Sequence, residues 1–182
     1  MIKLYDMPLS GNCQKVRMFL SMLGLDYEIV PVNTLAGEQK KPDYLAINPM
    51  GKVPALDDDG LVIWDSQAIL VYLARKYGST DWYPDDAVGM AAVQKWLCIA
   101  VNEMFNGCAV ARAIKIFDRP MDPEPAKKLA TATLGGQIEG TPIWCRFGVD
   151  AGNYPVLNCA NSEGLRLTLW PEGDFDAPLD CP

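Results

Sequence analysis

The chain has 182 residues, 49% of them apolar, and a net charge of −7, which suits one ordinary domain or two small ones packed around ample core material. The acidic balance argues against a polyanionic partner such as nucleic acid. No apolar run approaches the roughly 20 residues of a membrane span, and Met1-Ile2-Lys3-Leu4-Tyr5 enters a strand pattern without the regions of a signal peptide, so a cytoplasmic protein with no membrane partner is expected.

Histidine is absent. That removes Ser-His and Cys-His catalytic pairs, HExxH zinc sites and Cys/His fingers together. The six cysteines, Cys13, Cys98, Cys108, Cys145, Cys159 and Cys181, are too widely spaced for a CxxC metal pair, and in a cytoplasmic chain they are expected to be reduced. No metal is expected. Cys98 and Cys108 lie in helical patterns and read as buried small hydrophobes.

Ile2 to Tyr5 reads as a short strand and Met7 to Asn12 as a loop. Val16, Phe19, Leu20 and Leu23 then fall at i, i+3, i+4 and i+7, one apolar helix face with Gly24 as its stop and Ser10 or Asn12 as its N-cap. Tyr27 to Val32 is a second strand, parallel to the first by the usual crossover. Residues 33 to 41 are polar and loop-like, and Tyr44 to Ile47 is a short helix that Asn48-Pro49 closes.

The stretch Asn48-Pro49-Met50-Gly51-Lys52-Val53-Pro54-Ala55-Leu56 is a turn that enters a strand through an X-Pro bond. Pro54 cannot donate to a ladder, so it belongs at a strand's start or edge, and a cis bond is possible there. If cis, it would present the Val53 N–H and C=O outward to an extended peptide. Ala55-Leu56 and Leu61 to Trp64 are strands joined across Asp59-Gly60, a hairpin signal. Asp65-Ser66 caps a helix bearing Ile69, Leu70, Tyr72 and Leu73, which Gly78 ends. The order describes a four-stranded mixed sheet with helices on its faces.

From Asp85 the pattern is helical. Met90, Val93, Leu97, Ala100 and Met104 form a bundle-type seam, Ala109 to Phe117 continues it beyond Gly107, Asp118 to Pro125 breaks it, and Ala126 to Leu134 is a third helix. A boundary near residues 79 to 85 is expected. Gly135 to Pro182 contains no lysine and no helical face of useful length, with one strand expected at Arg166 to Trp170.

Three ligand-binding devices therefore sit at neighbouring strand ends. The free N–H groups of the Ser66 helix can hold a carboxylate, and Val53 can pair with a peptide backbone. Ser10 can donate to a thiolate at a helix N-terminus, while Lys52 and Gln39 could take a second carboxylate. The implied ligand is a small peptide with a carboxylate at each end and a sulfur between.

Residues 1 to about 134 resemble the cytosolic glutathione transferase family. The motifs that carry the likeness are Ser10 ahead of the first helix, Asn48-Pro49-x-Gly51-Lys52-Val53-Pro54-x-Leu56, Asp65-Ser66-x-Ala68-Ile69-x-x-Tyr72-Leu73 and Lys76-Tyr77-Gly78, nearest to the bacterial and theta-like serine type. The resemblance implies a thioredoxin-like α/β domain over 1–79, part of an all-α C-terminal domain over 85–134, and a usually homodimeric transferase joining glutathione to small hydrophobic electrophiles. It implies that Ser10 activates the sulfur and that Val53, at the Pro54 turn, pairs with the cysteinyl backbone. Lys52 and Gln39 then bind the glycyl carboxylate, Asp65 and Ser66 clamp the γ-glutamyl end, and Met104, Phe105, Ala109 and Arg112 line the electrophile site.

Ser10-Gly11-Asn12-Cys13 also has the spacing of a CxxC redox pair led by serine, so a thiol-disulfide oxidoreductase using Cys13 is the alternative, with a weak or inactive transferase-fold protein as another. The expectation for Cys13 is a buried, inert side chain. The likeness stops near residue 134: residues 135–182 lack the further helices and their Ser/Thr-x-x-Asp cap, and their composition resembles a chain read in a disturbed frame. The C-terminal helical part is therefore expected to be incomplete.

Overall fold

Alternating burial builds the first strand: Ile2, Leu4 and Asp6 face inward along Ile2–Asp6 (β1), with Lys3 and Tyr5 between them. The chain then forms helix Gly11–Met22 (α1), strand Tyr27–Pro31 (β2), a 3₁₀ turn at Glu38–Lys40 and helix Pro42–Ile47 (α2). Strands Ala55–Asp58 (β3) and Leu61–Trp64 (β4) and helix Ser66–Tyr77 (α3) follow. The computed structural model describes residues 1–135, 144–149, 155–160 and 166–168. They belong to two units, Met1–Asn102 and Glu103–Pro182.

In the first unit the sheet order is β2-β1-β3-β4. β1 and β2 run parallel, and β3 is antiparallel to both β1 and β4, the mixed topology expected of a βαβ unit followed by a hairpin. The hairpin turns through Asp59 and Gly60, both at positive φ (51° and 93°), with the Gly60 N–H donating to Asp57 Oδ1 at 2.7 Å. An Asp-Gly pair supplies that backbone at little cost. Ile2, Leu4, Val16, Leu20, Leu56, Ile69 and Leu73 form the core, joining the inner faces of β1 and β3 to α1 and α3. β4 is an edge strand that leaves Leu61, Val62 and Trp64 exposed.

One buried carboxylate ties α3 to the sheet. Asp58, 4% exposed at the end of β3, accepts from Tyr72 Oη, Lys76 Nζ and Tyr77 Oη, each at 2.7 Å from Oδ2. Burial alone would raise this carboxyl, but the hydrogen bonds from Lys76, Tyr77 and Tyr72, with the Lys76 charge, hold it down at about 2.

Helices Ala87–Ile99 (α4) and Val110–Ile116 (α5) are joined by a π-helical stretch, Ala100–Ala109, and run as one 30-residue helix from Ala87 to Ile116. This corrects two expectations. Gly107 does not divide the helix, and the continuous element, with an 18-residue window of mean hydropathy 1.3, is long and apolar enough by length and composition to cross a membrane. A π stretch carries the helix through a sequence that reads as two segments at the 3.6 period. Only 11% of that window is buried, so Cys98 is exposed and Cys108 half-covered rather than buried as expected.

In the second unit, helix Glu124–Gly135 (α6) starts two residues before the sequence reading places it, because Pro125 is tolerated in a first turn. Gly107 is buried there, and a Cβ on it would lie 2.8 Å from the Ala130 backbone nitrogen. Strands Trp144–Val149 (β5), Pro155–Ala160 (β6) and Arg166–Thr168 (β7) make an antiparallel sheet in that order. Of these the sequence reading has only the last, and its extension through Leu169 and Trp170 lies outside the described residues, as does most of the expected tail.

Asp58→Asn is expected to lower stability by about 1.5–3 kcal/mol, the range for a hydrogen bond to a charged group, as read by urea unfolding near neutral pH. Because the carboxyl titrates lower in the folded chain than its ordinary 3.8, its contribution is present above about pH 4 and fades as pH falls towards 2. The gap between wild type and variant should close across that window.

Candidate functional site

Strand register decides which loops meet. Tyr5 of β1 pairs with Ala55 of β3, Ala55 pairs with Trp64 of β4, and Asp6 pairs with Pro31 of β2. The segments just beyond this row are the Ser10 loop after β1, the Gln39 segment after β2, the Val53-Pro54 entry to β3 and Asp65-Ser66 after β4. All four open at one end of the sheet.

Ser10 is the N-cap of α1. Its Oγ accepts from the Cys13 N–H at 3.3 Å, and its own N–H donates to the Met7 carbonyl at 2.9 Å. With the oxygen held as an acceptor, the hydroxyl proton is left to donate at a helix N-terminus, where the dipole favours negative charge. Cys13, one turn on, is fully buried. Burial pushes its thiol up to about 11, against the hydrogen bonds of Ser10 and Met7 that pull it down. A thiol so placed is a poor nucleophile.

The loop before β3 is fastened from behind. Buried Asn48 donates from Nδ2 to the Lys52 carbonyl at 2.6 Å and accepts from the Met50 N–H at 3.0 Å. Tyr44 Oη donates to the same Lys52 carbonyl at 2.8 Å. The Val53-Pro54 bond is cis, and among the described residues the Val53 N–H and C=O take no hydrogen bond.

Gly51 sits at φ +56°, and a Cβ there would fall 2.7 Å from the Gln39 carbonyl oxygen. The 3₁₀ turn thus lies against this loop, and Lys40 Nζ donates to the Met50 carbonyl at 3.3 Å. Gln39 and Lys52 are brought to one place by this contact. Gln39 Oε1 is buried without a partner among the described residues, and the exposed Lys52 ammonium makes no ion pair there.

Asp65 caps α3 from an unusual backbone, φ 75° and ψ 123°, its carboxylate accepting from Gln67 N–H at 2.8 Å and Ala68 N–H at 3.4 Å. A non-glycine residue held there costs about 1–3 kcal/mol. This modifies the expectation that several free N–H groups await a ligand: Asp65 occupies two, and what remains is the N–H and hydroxyl of buried Ser66. Lys15 of α1 is drawn into the same region, its ammonium lowered by burial and raised again by the charges of Asp65 and Cys13.

The profile of the glutathione S-transferase N-terminal domain matches residues 4–81. Over 122 residues the chain is 48% identical to glutathione S-transferase 3 of Zea mays, covering 66% of this chain and 54% of that one. Among solved structures, a Nilaparvata lugens delta-class glutathione transferase superposes with TM-score 0.69 at 30% identity, covering 78% of this chain and 68% of that one. The chain belongs to the glutathione S-transferase family. A homologue from Drosophila mojavensis, solved with bound glutathione, aligns with TM-score 0.67 at 31% identity over 74% of this chain and 63% of that one. The chain spans about half the length of the curated relatives it matches.

Of the transferase residues expected from sequence, Ser10, Gln39, Lys52, Val53, Pro54, Asp65 and Ser66 gather at one end of the sheet. Met104, Phe105 and Ala109 lie on the π-helical stretch and Arg112 on α5, in the second unit. Burial lowers the Arg112 guanidinium, and Phe105 is 45% exposed. The sequence reading missed Tyr44, Asn48 and Lys40. Asn48 had a local signal, since an Asn-Pro-x-Gly turn invites side-chain bonds to nearby backbone; Tyr44 and Lys40 had none.

Gly51→Ala should place a methyl against Gln39 in a backbone region that disfavours it, with a drop in melting temperature worth about 1–3 kcal/mol. Weakened glutathione retention should accompany it, read by differential scanning fluorimetry with and without glutathione.

Proposed function

We propose that this chain is a glutathione transferase that binds glutathione at the gathered loop end and directs its sulfur at small electrophiles. The observation that carries the reading is the shared row Tyr5, Ala55, Trp64, which sets the Ser10 hydroxyl, the open Val53 backbone and the Ser66 cap side by side. Val53 pairs with the cysteinyl backbone in β-strand fashion, beside the cis Pro54. Asp65 and Ser66 receive the γ-glutamyl end, Asp65 taking the ammonium and Ser66 the carboxylate. Gln39 and Lys52 take the glycyl carboxylate. The sulfur then lies at the Ser10 hydroxyl.

The energetics are adequate without histidine. Lowering a thiol near pKa 8.5 by about two units needs roughly 2.7 kcal/mol. A charge-assisted hydrogen bond of about 1.5–3 kcal/mol and a helix-dipole contribution of about 0.3–1 kcal/mol supply it. The thiolate attacks the electrophilic carbon, forms the C–S bond and expels the leaving group, while the Ser10 proton stays on oxygen. Met104, Phe105, Ala109 and Arg112 are proposed to line the electrophile side.

The oxidoreductase reading is disfavoured by the burial and raised pKa of Cys13. We further propose a cytoplasmic homodimer joined through contacts between the first domain of one subunit and the helices of the other. The apolar edge Leu61, Val62 and Trp64 and the groove of about 430 Å³ lined by Gln67, Ala68, Val71, Tyr72, Gln94 and Leu97 support such a contact.

Ser10→Ala is expected to cut turnover with chlorodinitrobenzene by about 10²-fold or more while glutathione retention persists, and Cys13→Ser should change turnover little. The opposite ranking in a steady-state assay would remove the serine assignment.

A further inference from the structure

Arg17, on α1, holds the chain leading into the Ser10 loop. Its Nη1 donates to the carboxylate of Asp6, and its Nη2 donates to the Pro8 carbonyl at 3.1 Å. The Asp6 side chain is 3% exposed and that of Arg17 22%, so the pair is poorly screened by water. Asp6 is also pinned through its backbone, its carbonyl accepting from the Val32 N–H at 2.8 Å. Between Asp6 and Ser10 the chain has only Met7, Pro8 and Leu9, and the Met7 and Pro8 carbonyls are held by Ser10 and Arg17.

Asp6 is close to the reacting end. Its charge acts on the Cys13 thiol, which burial raises first and Asp6 raises further, while the Ser10 side chain lowers it. A buried carboxylate near the position of a thiolate opposes that thiolate. A guanidinium forked onto the carboxylate and the loop carbonyl removes the opposition and fixes the hydroxyl together.

We propose that Arg17 is a positioning residue for the Ser10 chemistry, orienting the Met7 to Ser10 loop and cancelling the Asp6 charge beside the sulfur. The proposal rests on the glutathione reading above. Other charged or titratable groups around this place are Tyr5 on β1, Cys13 and Lys15 on α1, Tyr44 on α2 and Asp65 at the start of α3. Among the described residues, Arg17 is the one whose side chain hydrogen-bonds the Asp6 carboxylate.

The test is a pH titration of glutathione bound to the full chain, followed by thiolate ultraviolet absorbance, for wild type, Arg17→Met, Arg17→Lys, Asp6→Asn and Asp6→Asn/Arg17→Met. Arg17→Met should raise the midpoint by about one pH unit, and Asp6→Asn alone should lower it. The double variant should return it near wild type, since the opposing charges leave together. Arg17→Lys should keep the midpoint but weaken glutathione binding, because an ammonium cannot hold both oxygens of the fork. If Arg17→Met does not fold, Asp6→Asn and the double variant still decide. Midpoints that do not move in these opposite directions in folded, glutathione-binding variants overturn the Arg17 role alone. A wild type that takes up no glutathione overturns the underlying reading, and the Arg17 role with it.

Discussion

The Lys52 carbonyl, held at once by Asn48 Nδ2 and Tyr44 Oη, is the point on which the loop before β3 depends. A carbonyl has two lone pairs, and here both are committed to buried donors behind the loop. The next peptide groups, those of Val53, are therefore turned away from the protein's own partners and left open. Had Asn48 and Tyr44 been unable to reach Lys52, the loop would satisfy its polar groups internally or in water, and no strand-like edge would face a ligand. The same loop lies against the Gln39 segment at Gly51, so Gln39 and Lys52 come to one place.

A second constraint works through charge. The loop end of the sheet combines a helix N-terminus at Ser10, a lysine at position 15 and a buried carboxylate at Asp6 whose charge is met by Arg17. Asp58 plays the corresponding part away from the site: it gathers Tyr72, Lys76 and Tyr77 on one oxygen and so fixes the axis of α3. The N-terminus of that helix carries Asp65 and Ser66. Stability of the sheet–helix joint and the placement of Asp65 and Ser66 are thereby coupled through a single helix.

Much of the first unit was legible in the residues themselves. Ser10 and Asp65 announced helix starts, Asp59-Gly60 announced a hairpin, and Asn48-Pro49 announced the end of a helix, because each acts on backbone groups within about four residues. The less legible region begins at Ala87. A seam at the 3.6 period suggested two helices, yet the π-helical stretch Ala100–Ala109 joins them, and Cys98 lies exposed although its helical context suggested burial. Periodicity tells which face of a helix is apolar; it does not tell what covers that face.

By itself the sequence determined most elements of the first unit and their local caps, and the absence of histidine left a hydroxyl, a helix dipole and nearby cations as the groups able to stabilise a thiolate. It also carried the motif spacing that marks the family. Only the tertiary structure decided that Tyr5, Ala55 and Trp64 share a row, that Tyr44 reaches Lys52, that Arg17 answers Asp6 and that Cys13 is sealed from solvent. The physical reason is range. Caps and turns are closed by bonds between near neighbours, whereas strand pairing and buried ion pairs join residues whose proximity exists only after the sheet has formed and the helices have packed on it.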